Sequence, residues 1–280
     1  MEIARLQEFT SPAVKQRQKS MKKFVRSEKY SDLIIECQGL RFPVHKSILC
    51  PRSSVISAEL DNPAWIESQT GVIKHEVFDA HTLAMMLSYA YYSSYNVAAS
   101  ADELFTIKNI DGKPCPRVKG ELVPAWVTLE NFDNDVEVNE DMMMHVHVYG
   151  IAEYYDMPEL KEMATMHFVS LTPDLDDTCN FIALMDSIAE YVPAEDTAMF
   201  DHVVKEVQKN DCTDYIWANP ILLHGFKTKP SMQRLAGSLM SPVTTQARKL
   251  ETKLQGLEQD CDDLIQLHHG IRRAAGLRTK

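Results

Sequence analysis

Histidine and cysteine are the residues of this chain whose positions could supply a base, a nucleophile or a metal ligand. His45 follows a stretch of alternating apolar residues, but no serine or cysteine nucleophile with an orienting acid is recognisable around it. His145 and His147 are two residues apart in a segment of helical spacing, so their side chains point to different faces and cannot bind one metal ion together. Cys261 and His268 lack the spacing of a zinc site. The sequence therefore predicts no catalytic residue, metal or other cofactor.

A second kind of chemistry is recognition by an exposed aromatic side chain. In Trp65-Ile66-Glu67 an aromatic residue stands two positions before an acid. An exposed aromatic anchor beside a charge that orients the partner is a common arrangement at binding surfaces. The alternative is that Trp65 packs on its own domain. A triplet of this kind also arises often by chance, without any binding function.

The composition is that of a globular protein with an acidic charge balance. The chain has 280 residues, of which 45% are hydrophobic and 25% charged, so it can form one large domain or two small ones. Its formal net charge of -11 favours basic partner surfaces and argues against nucleic-acid binding, which usually shows a basic excess. We therefore expect no direct nucleic-acid partner.

No sequence feature indicates a membrane or an oxidising compartment. No apolar run approaches the length of a membrane-spanning helix, and the N-terminus lacks the apolar core of a secretory signal. The six cysteines are scattered without CxxC pairs, which predicts reduced thiols. We expect an intracellular protein, nuclear or cytoplasmic, without a membrane partner.

Alternation of apolar and polar residues predicts a β-hairpin over 32–44. Gly39, in the intervening turn, can supply the positive φ that a tight hairpin requires. A third short strand is predicted over 71–77. The residues on the predicted buried face of the hairpin are Leu33, Ile35, Cys37, Leu40, Phe42 and Val44.

Capping residues mark the starts of the predicted helices. Ser53 or Ser54 can cap a short helix, and Asp79 can cap a longer one with one buried face. Pro158 opens a helix at a position where its missing N–H costs nothing. The run Thr172-Pro173-Asp174 predicts a further helix start.

The chain divides by composition into four parts. They are a basic lead-in over 1–29, an α+β domain over 30–171, a helical region over 172–226, and a linker with an amphipathic helix over 227–280. Within the domain, 96–140 has the Pro and Gly content and the acidic end of an insertion, either an ordered lid or a disordered loop. Helical spacing returns at Asp141.

Apolar residues recur every seven positions near the C-terminus. The candidate core positions are Leu250, Leu254, Leu257, Leu264 and Ile271. About four heptads of this kind predict a coiled coil. The alternative is one amphipathic helix packed back on the body of the protein.

Two distant stretches, 30–49 and 146–160, together resemble the BTB/POZ family. The residues that carry the family signature are Asp32, His45, Lys46, Leu49 and Tyr155. The resemblance covers about residues 30 to 170, and the expanded 96–140 segment is similar to that of fungal members. The resemblance implies a small sheet capped by helices and a structural, locally hydrogen-bonded His45. With the segments that follow, the predicted fold class is α+β, then an all-α region and a C-terminal long helix or coiled coil.

The resemblance implies a non-enzymatic protein that binds other proteins. Members of the family commonly self-associate, so a homodimeric scaffold or adaptor is the leading interpretation. Many adaptors of the family dock a cullin through a hydrophobic-x-acid triplet, which makes Trp65, Ile66 and Glu67 candidate contacts with a cullin and a ubiquitin-ligase substrate adaptor an alternative. A transcriptional co-regulator is a further alternative, although the sequence holds no DNA-reading motif.

Overall fold

The structure is a computed structural model that describes residues 12–97, 105–109, 111, 138–209 and 213–240. The elements are α1 (Pro12–Arg26), β1 (Leu33–Cys37), β2 (Leu40–Val44), α2 (Lys46–Leu49), α3 (Ser54–Asp61), α4 (Ile66–Thr70), β3 (Val72–His75), α5 (Ala80–Tyr92), β4 (Lys108–Asn109), α6 (Val138–Tyr154), α7 (Pro158–Val169), α8 (Thr178–Tyr191), α9 (Ala198–Lys209), α10 (Thr213–Ala218) and α11 (Pro220–Thr228). A helical stretch also covers 230–240. The chain forms two compact units, Met1–Glu206 and Val207–Lys280.

Four strands of the first unit form one mixed sheet in the order β3-β1-β2-β4. The predicted hairpin is confirmed, since β1 and β2 pair antiparallel with Leu33 opposite Val44. Gln38 and Gly39 in the turn both have positive φ, at 48° and 77°, which matches the twist of the paired strands. The predicted third strand is also confirmed, and it lies parallel to β1 after the crossover through α2, α3 and α4.

The buried face of the hairpin follows the predicted alternation. Leu33, Ile35 and Cys37 are buried on β1, as are Phe42 and Val44 on β2. Leu40, expected on the same face, is only half-buried where β2 pairs with the two-residue strand β4. The alternation therefore identifies the core side of the sheet correctly except at the end of the hairpin.

Helix α5 is the central element of the first unit. The Asp79 carboxylate accepts hydrogen bonds from the N–H groups of His81 and Thr82, both at 2.9 Å, so the predicted cap is confirmed. All twelve residues from Ala80 to Tyr91 are buried, not one face alone. The reason is that α1, α2 and α6 all pack against this helix.

Helix α6 packs against α5, α7 and α8, so the helices beyond 171 begin inside the same compact unit. Gly150 allows this approach, because a Cβ there would lie 3.0 Å from the ring of Phe78 and from Cβ of Tyr191. Helix α6 begins at Val138, three residues before the expected start at Asp141. The predicted start of α7 at Pro158 is confirmed.

The helix start predicted at Thr172-Pro173-Asp174 is wrong. Helix α8 begins at Thr178, and its cap is Asp177, whose carboxylate accepts from the N–H of Asn180 at 3.3 Å. The physical reason lies in Asn139, whose side chain accepts from the N–H of Asp174 at 2.9 Å and donates to its carbonyl at 2.7 Å. The backbone of Asp174 is therefore bonded to α6 instead of opening a helix.

The described part of the second unit is helical. Asn219 caps α11 by accepting from the N–H groups of Ile221 and Leu222, and the Trp217 and Phe226 rings pack 5.1 Å apart. Together, the small mixed sheet with its helices and the helical region that follows confirm the α+β fold class. Among the described helices, none combines the length and the apolar character needed to cross a bilayer.

Candidate functional site

Trp65 and Ile66 lie side by side at the surface of the first unit. Trp65 stands at the N-cap position of α4, with 44% of its surface exposed, and Ile66 opens the helix with 66% exposed. Glu67, one residue further, is half-buried. More than half of Trp65 is covered by its own chain, and the exposed 44% is the part that a partner could contact.

Local hydrogen bonds fix the backbone that presents these two side chains. The hydroxyl of Ser68 donates to the Trp65 carbonyl at 2.9 Å, and the amide of Gln69 donates to the Pro63 carbonyl at 3.0 Å. At the other end of α4, Gly71 adopts a φ of 65°, and its carbonyl accepts from the N–H of Ile34 on β1 at 2.9 Å. The exposed pair is therefore held on a short helix anchored to the sheet.

Glu67, which follows the exposed pair, lies near a second acid. Glu59 on α3 lies near Glu67, and its pKa is raised by burial and, second, by the Glu67 charge. One carboxylate oxygen of Glu59 is buried and has no hydrogen-bond partner among the described residues. This oxygen is out of reach of a partner, so the half-buried Glu67 is the carboxylate of the two that a basic residue of a partner would meet. Glu59 was not recognised from the sequence, because only the packing of α3 on α4 brings it next to Glu67.

His45 sits at the junction of β2 and α2, where it joins three parts of the fold. Its Nε2 lies 2.9 Å from the Lys29 carbonyl, which can only accept, so Nε2 carries the proton and Nδ1 accepts from the Tyr91 hydroxyl at 2.8 Å. The ring also stacks on Phe24 of α1, with centroids 4.5 Å apart. Both ring nitrogens therefore have partners inside the domain, and His45 stabilises the junction of β2 and α2 against α1 and α5.

The other signature residues lie in the same framework. The Asp32 carboxylate accepts from the Lys46 N–H at 2.8 Å, which closes the turn from the hairpin into α2. Leu49 is buried. The Tyr155 carbonyl accepts from the Ser53 hydroxyl at 2.6 Å, and its own hydroxyl lies 2.8 Å from Nδ1 of His75. These bonds connect the end of α6 to residues 102 and 80 positions earlier, and both signature stretches lie in the first compact unit.

Several histidines are buried in this unit, a feature that sequence reasoning did not identify. They are His45, His75, His81, His145 and His147. His145 and His147 diverge as predicted. Nδ1 of His145 lies 2.8 Å from the Tyr95 hydroxyl, whereas Nδ1 of His147 lies 3.9 Å from an Asp79 oxygen. Within the described ranges, no three histidine, cysteine or acidic side chains are grouped so that they could hold a metal ion.

Two predictions from the sequence fall on residues outside those that the structure describes. They are the coiled-coil core at Leu250, Leu254, Leu257, Leu264 and Ile271, and most of the 96–140 insertion. Of the insertion, the described part includes β4, which extends the sheet, and the first three residues of α6. The coiled coil and the order of the insertion stay predictions.

Comparison with known proteins identifies one family. Residues 21–110 match the family model described as the BTB/POZ domain. The match includes α1 from Met21, the hairpin, and the helices up to α5 and β4. It ends before α6, so the assignment of α6 and α7 to the same domain stays a prediction. No curated protein matches the chain.

Proposed function

We propose that this BTB/POZ-domain protein is a non-enzymatic adaptor that binds another polypeptide through Trp65, Ile66 and Glu67. BTB/POZ domains generally act as protein-interaction modules. The observation that supports this particular surface is the exposure of two large apolar side chains on a helix held in place by hydrogen bonds. Because the helix is already ordered, a partner would lose little affinity to ordering it.

The energy available at this surface is sufficient for a binding hot spot. Burying a large apolar side chain contributes about 1.5–3 kcal/mol, and tryptophan is enriched among residues whose truncation costs 2 kcal/mol or more. We therefore expect Trp65→Ala to weaken binding about 30-fold, which corresponds to about 2 kcal/mol. The charge of Glu67 would orient the partner by attracting a lysine or arginine.

The partner that we propose is a cullin scaffold. The support is the resemblance of Trp65-Ile66-Glu67 to the hydrophobic-x-acid triplet of cullin-binding BTB adaptors, together with the exposure of its first two residues. In this role the protein would be a substrate adaptor for ubiquitin transfer. The helical region after the BTB/POZ domain would then be the part that faces the substrate.

Binding of a purified cullin to the full chain tests this proposal. We expect Trp65→Ala and Glu67→Lys to weaken binding separately, and the double variant to abolish it. The matched controls are Val169→Ala and Glu162→Lys, an exposed apolar residue and an exposed acid on α7, and they should leave affinity unchanged. Cullin binding that survives in the double variant would show that this surface is not the binding site. Absence of cullin binding in the wild type would show that the partner is not this cullin.

We propose in addition that the protein self-associates. The support is that BTB/POZ domains mediate self-association and that the C-terminal heptads are typical of a coiled coil. Light scattering of the full chain at micromolar concentration should give the mass of a dimer. Leu257→Glu with Leu264→Glu should reduce the dimer fraction if the heptads contribute to it. A strict monomer in the wild type contradicts this second proposal.

An intracellular location, nuclear or cytoplasmic, is part of the same proposal. It rests on the scattered cysteines, three of which, Cys37, Cys50 and Cys179, are free thiols in the described part of the chain. Fractionation of cells that produce the tagged full chain would test it. Recovery of the protein in the secreted fraction would contradict it.

A further inference from the structure

Helix α1 concentrates positive charge in an otherwise acidic protein. Its fifteen residues include six lysines and arginines and no acid, whereas the whole chain has a formal net charge of -11. Lys19, Lys22, Lys23 and Arg26 are exposed, and with Ser27 they line one open depression. We call these four basic side chains the cationic face.

The opposite side of α1 is used by the fold. Val25 is buried, and Phe24 stacks on His45. The hydroxyl of Thr106 donates to the Arg26 carbonyl at 2.9 Å, which fixes the end of the helix against the domain. The cationic face therefore has a fixed orientation, because the apolar side of α1 already packs on the domain.

The spacing of the cationic face is unfavourable for the helix by itself. Lys19 is three and four residues from Lys22 and Lys23, spacings at which like charges on a helix repel. The helix dipole favours cations only in the last turn, so it accounts for Lys23 and Arg26 but not for Lys19 and Lys22. Among the described residues, Lys19, Lys22 and Lys23 form no ion pair.

We propose that the cationic face binds an acidic segment of a partner polypeptide, at a surface separate from Trp65. Carboxylates spread over about 10 Å, the axial distance from Lys19 to Arg26, would neutralise the repulsion and face all four cations. A membrane is a poorer occupant, because Phe24 and Val25 are packed inside the domain and cannot insert. A nucleic acid is a poorer occupant, because the remainder of the chain is acidic and would repel its phosphates.

Fluorescence anisotropy with the full chain and a labelled peptide tests this inference. The probe is a peptide of about 12 residues whose glutamates recur at three- and four-residue spacing, and its counterpart carries glutamine at the same positions. We expect the wild type to bind the glutamate peptide with a Kd that rises with salt, and to bind the glutamine peptide much more weakly. Lys19→Glu with Lys22→Glu should raise the Kd about tenfold or more.

The matched control is Lys74→Glu with Lys205→Glu, which changes the net charge equally at exposed positions on β3 and α9. It should change the Kd less than about twofold. Circular dichroism should show that both variants retain the helical content of the wild type. The inference is overturned by equal weakening in the two variants, by equal binding of the two peptides, or by absence of peptide binding at low salt. Tighter binding of a single-stranded oligonucleotide or of phosphatidylserine vesicles than of the peptide would also overturn it.

Discussion

Acidification from about pH 8 to about pH 5 should destabilise the first unit, because the buried His75 and His145 stay neutral in the fold. Nε2 of His75 accepts the Phe78 N–H at 3.1 Å, so the proton of the neutral ring lies on Nδ1 and is directed to the Tyr155 hydroxyl at 2.8 Å. A second proton on Nε2 would face the Phe78 N–H. Burial lowers the pKa of His75 to about 4, against 6.5 for the unperturbed group.

His145 behaves in the same way. Burial, and second the nearby His167, lower its pKa to about 3. Above about pH 6.5 both states of the protein hold these rings neutral, so stability does not depend on them. Below that pH the unfolded chain binds protons that the folded chain does not bind. The free energy of unfolding therefore falls as the pH is lowered, until the pH reaches the pKa of the folded state. At pH 5 this amounts to about 2 kcal/mol for each of His75 and His145, or about 4 kcal/mol together.

Burial also lowers the pKa of His81 and of His167, which therefore act in the same direction, whereas the carboxyl groups have different pH windows. Burial would raise the pKa of Asp79, but the nearby His147 and hydrogen bonds from Thr82 outweigh it and lower the pKa to about 2, so its contribution is lost only below about pH 3.8. Glu59 and Asp141 have raised pKa values and therefore act against the histidines near pH 5. Single-histidine variants are needed to separate these contributions.

The assay is urea unfolding followed by circular dichroism at about pH 8 and pH 5. We expect His75→Gln and His145→Gln each to reduce the pH-dependent loss by about 2 kcal/mol, even where the variant is less stable at pH 8. His224→Gln, at an exposed position, is the matched control and should keep the wild-type loss. If His145→Gln loses as much stability on acidification as the wild type, the reasoning is refuted.

Two further predictions concern packing and capping. Gly150→Ala should destabilise the protein by about 1–3 kcal/mol in thermal or urea unfolding, because the new methyl group would lie 3.0 Å from the Phe78 ring. Gly237→Ala, with no atom within 4 Å of the new methyl group, should instead be neutral or stabilising by up to about 1 kcal/mol, and the opposite order of the two would contradict the packing argument. Ser53→Ala should cost about 1–3 kcal/mol, because the helix loses its cap and the Tyr155 carbonyl loses its donor; a change within error would show that neither bond contributes.

The parts of the fold that local chemistry determines were predictable from the sequence. The alternation around Ile35 identified the hairpin, and Ser53, Asp79 and Pro158 marked helix starts that the structure has. At each of these positions the deciding interaction is with a residue only a few positions away. Sequence patterns report such interactions directly.

The parts that depend on distant contacts were not predictable. Strand β4 has two residues, too few to show alternation, and it is recognisable only from its pairing with β2. Helix α8 begins at Thr178 and not at the predicted Thr172, because Asn139, far away in sequence, forms hydrogen bonds with the backbone of Asp174. Glu59 lies near Glu67 only because α3 packs on α4. The burial of His145 depends on where α6 lies.

Photo-crosslinking at Trp65 tests the central claim, that this surface binds another protein, most directly. A benzoylphenylalanine placed at Trp65 of the full chain in cells should give a discrete cross-linked adduct with another polypeptide. The adduct should be absent when the same group replaces Val169, an exposed residue on α7, and it should weaken when Glu67→Lys is added. Equal cross-linking at both positions, or none at Trp65 in a folded protein, would contradict the account.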